Sequence, residues 1–183
     1  MKHIIFIGLL LFGIFITSQP VISETDLEVY SNIKYGISFN IPRGIKLYTE
    51  ENPGPLASQI SSRDPLILVN SEFTEENINL KVSENLSEGD LIDFKKMLDE
   101  KPNMPLPKYQ RISVGFINIG KQMNKKAVEH IFIMQGNILG KLRQVIFSHN
   151  KRGYTFTCAT ELQRFDKANQ HFFNTVFNTM IFK

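Results

Sequence analysis

The chain has 183 residues, 42% of them hydrophobic, with one cysteine, no tryptophan and a formal charge of +3. That composition excludes a disordered chain, and a single thiol excludes an internal disulfide, so stability must come from an ordinary buried core. The small net charge hides an asymmetry: residues 24–100 hold 7 Lys and Arg against 15 Asp and Glu, whereas residues 101–183 hold 13 against 3.

At the N-terminus, Lys2 and His3 precede thirteen apolar residues, Ile4 to Ile16, and Thr17-Ser18-Gln19, Pro20 and Ser23 follow. A spanning helix needs about 20 apolar residues, whereas the apolar region of a secretory signal needs about 7–15. The pattern predicts a signal peptide over residues 1–23 and one mature domain over 24–183, with an uncleaved anchor as the rival reading. No cysteine stands near the expected cleavage point, which excludes a lipid-anchored form of export. The expected product is soluble and secreted or periplasmic.

Ile37, Phe39 and Ile41 alternate with Ser38 and Asn40, the period of a strand with one buried face, and Pro42-x-Gly44 ends it. Val29 and Tyr30 begin a partner strand, with Asn32 near the turn. Residues 50–64, with Pro53, Gly54, Pro55 and paired serines, form a long surface connection and a place to look for function. Residues 66–73 and 78–84 then read as a hairpin across the polar TEEN.

Ser87 heads a helix: Asp90 stands three residues on, as in a capping box, and Leu91, Phe94 and Leu98 share one face. Prolines 102, 105 and 107 end it in a stiff connector. Four strands follow as a meander, over 111–119, 127–135, 142–149 and 154–160. The third last of these, AVEHIFIMQ, is apolar on both faces and reads as a central strand. From Phe165 to Phe182, apolar residues at Phe165, Ala168, Phe172, Val176 and Met180 mark a closing helix, widened by Phe173 and Phe177.

Residues 35–44 (YGISFNIPRG), Arg143 to Phe147, Gly153 to Thr157 and the stretch from Phe172 to Phe182, in this order of elements, resemble the PsbP-like superfamily. That superfamily takes in the extrinsic photosystem subunit PsbP and bacterial DcrB-type exported proteins. The resemblance covers nearly all of residues 24–183. It implies an α+β fold, an α/β/α sandwich with one mainly antiparallel sheet and helices on both faces. It also implies a role in binding and assembly without catalysis.

The residues themselves offer little chemistry. HExxH, CxxC, phosphate-loop and G-x-S-x-G patterns are absent, so no metal site, cofactor or catalytic residue is expected. His130 falls on the strand face of Val128 and Phe132 and reads as a core or rim residue with one hydrogen bond. Cys158 shares a face with Tyr154 and Phe156 and reads as buried and inert. GNILG, residues 136–140, is a hairpin turn.

In a meander, alternate turns lie at the same end of the sheet, so Gly120–Lys126 and Asn150–Gly153 should stand about 10 Å apart. Lys121, Lys125, Lys126, Lys151 and Arg152 would then form a basic cluster that docks a protein or an anionic surface. The opposing reading is that turns are charged because they are wet. Nucleic acid is not an expected partner. The alternative function is a carrier or chaperone for an apolar ligand or hydrophobic segment.

Overall fold

The apolar positions of the second strand are buried as its period predicts, and Ser38 between them is buried too. The computed structural model describes residues 27–73, 76–100, 109–135 and 139–183. The expected signal peptide and its cleavage, the proline-rich connector over 101–108 and most of the GNILG turn lie outside the described residues. Leu27–Asn32 (β1) and Ile37–Pro42 (β2) form an antiparallel hairpin in which Asn32 faces Ile37. Ile37, Phe39 and Ile41 are buried.

Pro42 ends β2, and Gly44, at φ 85°, supplies the backbone that other residues avoid. The chain then enters a strand that the sequence reading leaves out, Ile45–Thr49 (β3), whose apolar residues are only partly buried. Pro-x-Gly is thus a corner between two sheets, since β2 and β3 do not share one.

Leu66–Asn70 (β4) and Asn77–Glu84 (β5) make the expected hairpin. Glu88–Glu100 (α1) follows. Its cap is a reciprocal box: the Asp90 N–H donates to Ser87 Oγ at 3.2 Å, and the Ser87 N–H donates to Asp90 Oδ2 at 2.7 Å. Leu91 packs with Val128 and Ile146, and Phe94 closes over them. Arg111 reaches the far end of the helix, donating from Nη1 to the Leu98 carbonyl at 2.5 Å.

The meander is Tyr109–Ile119 (β6), Lys125–Gln135 (β7), Leu139–His149 (β8) and Arg152–Glu161 (β9). Seven antiparallel strands run in the order β3-β4-β5-β9-β8-β7-β6. The middle strand is therefore β9, and β7 lies one place in from the edge. It is nonetheless covered on both faces: Ala127 joins the main core and Val128 the core under α1. Sequence periodicity reports how many faces are buried, not how far a strand sits from the edge.

The closing helix, α2, runs through three segments: α over Phe165–Ala168, a π turn over Asn169–Phe173, and α over Asn174–Thr179. The widened turn lets consecutive Phe172 and Phe173 both face the core. Arg143 holds that turn from the sheet, donating from Nη1 to Asn169 Oδ1 (2.7 Å) and Asn174 Oδ1 (2.6 Å) and from Nε to Glu129 Oε1 (2.7 Å). The helix stops earlier than the periodicity implies. Met180 is extended, and Ile181–Phe182 (β10) pairs with Ser38 and Ile37 of β2.

A three-stranded sheet, β1-β2-β10, thus lies beside α2 over one face of the large sheet, and α1 covers part of the other. The fold is α+β, mainly antiparallel, with helices on both faces and a small second sheet that the sequence did not announce. Phe173 is fully buried against Phe165 and Phe172. Phe173→Ala should lower the unfolding free energy by about 3–5 kcal/mol, measured as a shift in the urea midpoint.

Candidate functional site

Strand pairing gathers several turns at one end of the molecule. Glu84 faces Arg152 across β5 and β9, and His149 faces Arg152 across the β8–β9 turn. That turn has Asn150 and Lys151 both at positive φ, 49° and 62°, the pattern of a two-residue hairpin. The C-terminal residue is tied to the same place: the Lys183 N–H donates to the Gly36 carbonyl (2.9 Å), and the Lys183 carbonyl lies 2.8 Å from His149 Nε2. The β6–β7 turn joins through the Lys121 N–H, which donates to the Met180 carbonyl at 2.7 Å.

A cavity of about 500 Å3 opens at this end, lined by Lys34, Tyr35, Arg63, Lys81, Glu84 and Arg152, with Ser62, Val82 and Ser83. Arg63 reaches it from the long 50–64 connection. A tight turn is closed by mutual backbone bonds between Ser61 and Asp64, at 3.1 and 3.0 Å, which leaves Ser62 and Arg63 at its tip. Because β4 begins only at Leu66, opposite Leu80, the Val82 N–H lacks a ladder partner there. It donates instead to the Arg63 carbonyl at 2.7 Å.

Lys34 comes from the β1–β2 turn. Its Nζ lies 2.8 Å from Glu50 Oε2, to which the Tyr35 hydroxyl also donates at 2.9 Å. Hydrogen bonds from Lys34 first, and Tyr35 second, hold the Glu50 carboxyl below its usual range. Arg152 donates from Nη1 to the Lys34 carbonyl, and its Nε stands 3.9 Å from Glu84 Oε1. Tyr154, buried beneath, donates its hydroxyl to the Tyr35 carbonyl at 2.7 Å.

The five cations singled out from the two turns do stand at one end, but their side chains part company. Lys121 and Lys125 line a second cavity of about 360 Å3 with His149 and Phe182. Lys151 lines a third, of about 340 Å3, beside Asn85, Leu86 and Ser87. Arg152 lines the first. Lys126, next to Lys125 on a strand, points to the other face, with Nζ 4.1 Å from the centre of the Phe116 ring. Lys34, Arg63 and Lys81 were not singled out from the sequence. The only sequence signal was the length of the 50–64 connection; the meeting of these residues depends on β5 pairing with β9.

His130 is 1% exposed, shares a 2.7 Å hydrogen bond with the Tyr109 hydroxyl through Nε2 and stacks on Phe132. Its Nδ1 has no partner among the described residues. Burial pushes its pKa below the ordinary 6.5. Cys158 is fully buried, and burial drives its thiol pKa far up. Among the described residues no group of three or more His, Cys, Asp and Glu is placed to hold a metal, and no helix is long and apolar enough to cross a membrane.

No family model matches the sequence, and no curated protein matches it significantly. Among solved structures it is similar to cyanobacterial PsbP (CyanoP) from Synechocystis sp. PCC 6803, with a TM-score of 0.60 and 15% identity over 92% of this chain and 99% of that one. It is also similar to a protein from Bacteroides thetaiotaomicron VPI-5482, with a TM-score of 0.58 and 9% identity over 86% of this chain and 49% of that one. This chain therefore spans about half the second structure. Its fold is PsbP-like, as the Pro-x-Gly strand and Phe-rich closing helix imply.

Folded His130 binds a proton less readily than unfolded His130, so the unfolded state gains protons first as pH falls. Stability should therefore decline as pH drops below about 6.5, and His130→Gln should remove part of that decline in urea titrations at pH 7 and pH 5. Cys158 should resist iodoacetamide in native buffer and react once urea is added, as followed by mass spectrometry.

Proposed function

We propose that this protein is an exported, non-catalytic binding or assembly protein, secreted or periplasmic, which docks by its basic end onto a protein or surface bearing negative charge. The supporting observation is the make-up of the three cavities at that end: among the described residues seven Lys and Arg line them, with Glu84 as the one carboxylate. Such a concentration of one sign steers an anionic partner and orients the encounter. The N-terminal secretory pattern supports export. A binding role is supported by the burial of Cys158 and His130, which leaves neither placed as an accessible nucleophile or base.

A carrier for an apolar ligand is the second reading. It is favoured by a hollow of about 350 Å3 between the 50–64 connection and the sheet, lined by Tyr48, Pro55, Leu56, Ile67 and Val69 together with the amides of Gln59, Asn77 and Asn79. Saturable uptake of a fluorescent fatty acid, unaffected by salt, would favour it over the docking role.

The docking role is tested with vesicles of phosphatidylglycerol and with immobilised polyglutamate, at low and high salt. Serine at Lys121, Lys125, Lys126 and Lys151 together should weaken retention on at least one of them by about tenfold or more, as should salt at roughly 0.5 M. Equal retention of the variant and the native protein on both matrices would refute it.

A further inference from the structure

We infer that the cavity formed by Lys34, Arg63, Lys81 and Arg152 is a binding site for a phosphate monoester, an assignment that rests on the basic end being a docking surface and gives that surface a defined ligand. Four chain segments far apart in sequence converge there, and each is tethered by bonds independent of any ligand. The Arg63 carbonyl accepts from the Val82 N–H (2.7 Å), Arg152 is anchored on the Lys34 carbonyl, and the Tyr35 carbonyl accepts from buried Tyr154. The backbone of these walls, and the Arg152 side chain, are thus fixed before any anion arrives, which lowers the ordering cost of binding one.

Charge selects the ligand class. Four cations line the cavity with Glu84, and Lys34 is also paired outward with Glu50. With both carboxylates counted, two positive charges are left over. Arg63 and Lys81 have no ion pair among the described residues. A phosphate monoester carries about −1.5 to −2 charges at neutral pH and three acceptor oxygens, which fits this surplus and the two guanidinium forks. A single carboxylate brings one charge and two oxygens and leaves a cation uncompensated.

Ser62 and Ser83 line the same walls, and the Ser83 hydroxyl lies 3.5 Å from the Gly153 carbonyl. The volume, about 500 Å3, lies within the range of about 300–1,000 Å3 typical of small-molecule sites. It admits the ester's organic portion as well as the phosphate, with Tyr35 and Val82 as its apolar neighbours. The same chemistry is presented by a soluble sugar or glycerol phosphate and by the headgroup of a phosphatidate in a membrane.

The test is calorimetric titration of the purified protein with glycerol 3-phosphate at low salt, beside co-sedimentation with phosphatidylcholine vesicles containing or lacking phosphatidate. Saturable binding of one equivalent in solution supports the site and a soluble source. Binding to phosphatidate vesicles alone supports the site and a membrane source, provided the variant below abolishes it. In either case Arg63→Ser with Lys81→Ser should weaken binding at least tenfold while the thermal midpoint and circular dichroism stay native. Lys121→Ser with Lys125→Ser should leave it within twofold.

Equal affinity for citrate or acetate, no effect of the Arg63 and Lys81 pair, or no saturable binding to either phosphate source would overturn the assignment. If phosphate binding fails while retention on phosphatidylglycerol persists and depends on Lys121 and Lys125, the site falls and the docking role stands. If both fail, both readings fall.

Discussion

Phe156, fully buried in the middle strand of the large sheet, is the contact on which the rest of the assembly hangs. Its ring lies 6.1 Å from Phe39 in the small sheet, 6.0 Å from Phe147 on the neighbouring strand and 5.7 Å from Phe177 in the closing helix. Three layers that share no hydrogen-bonded ladder with one another therefore meet on one aromatic side chain. Removing so much apolar area from water, with edge-to-face geometry at Phe39 and Phe177, is what seats the β1–β2 hairpin and α2 on the sheet. Once that hairpin is seated, its turn places Lys34 within reach of Arg152, and the basic end takes shape.

A second constraint acts through charge. Arg143 is nearly excluded from water, yet its guanidinium meets Glu129, Asn169 and Asn174 and lies over the Phe177 ring. A buried cation satisfied on so many sides ties the π turn of α2 to one register on the sheet, because any slip would strand the charge. At the opposite end of β5 from the cavities, Glu76 is similarly enclosed between Arg164 and Asn70. Acids of the first half of the chain thus neutralise some cations of the second. The surplus of positive charge collects where the turns lack such partners.

Most elements were legible because they obey short-range rules. The buried positions Ile37, Phe39 and Ile41, the Ser87–Asp90 box and the apolar stripe from Phe165 each need only neighbours within a few residues, and each is present, although Ser38 is buried as well and the helix ends at Thr179. What was missed needed long-range information. β3 is half-exposed and so lacks a strong period; β10 forms only because β2 offers an edge to Ile181 and Phe182. The basic residues were legible by turn, since meander geometry places alternate turns together, but Lys125 and Lys126 point to opposite faces and divide the group.

By itself the sequence determined the alternation of strands and helices, the one-cysteine core and the excess of cations in its second half, because composition and periodicity are local properties of the chain. Only the tertiary structure decided that Lys34, Arg63, Lys81 and Arg152 share one cavity. Their segments are joined by the pairing of β5 with β9 and by the edge-to-face contact of Phe39 with Phe156, contacts between residues about 70 to 120 positions apart that no local pattern encodes.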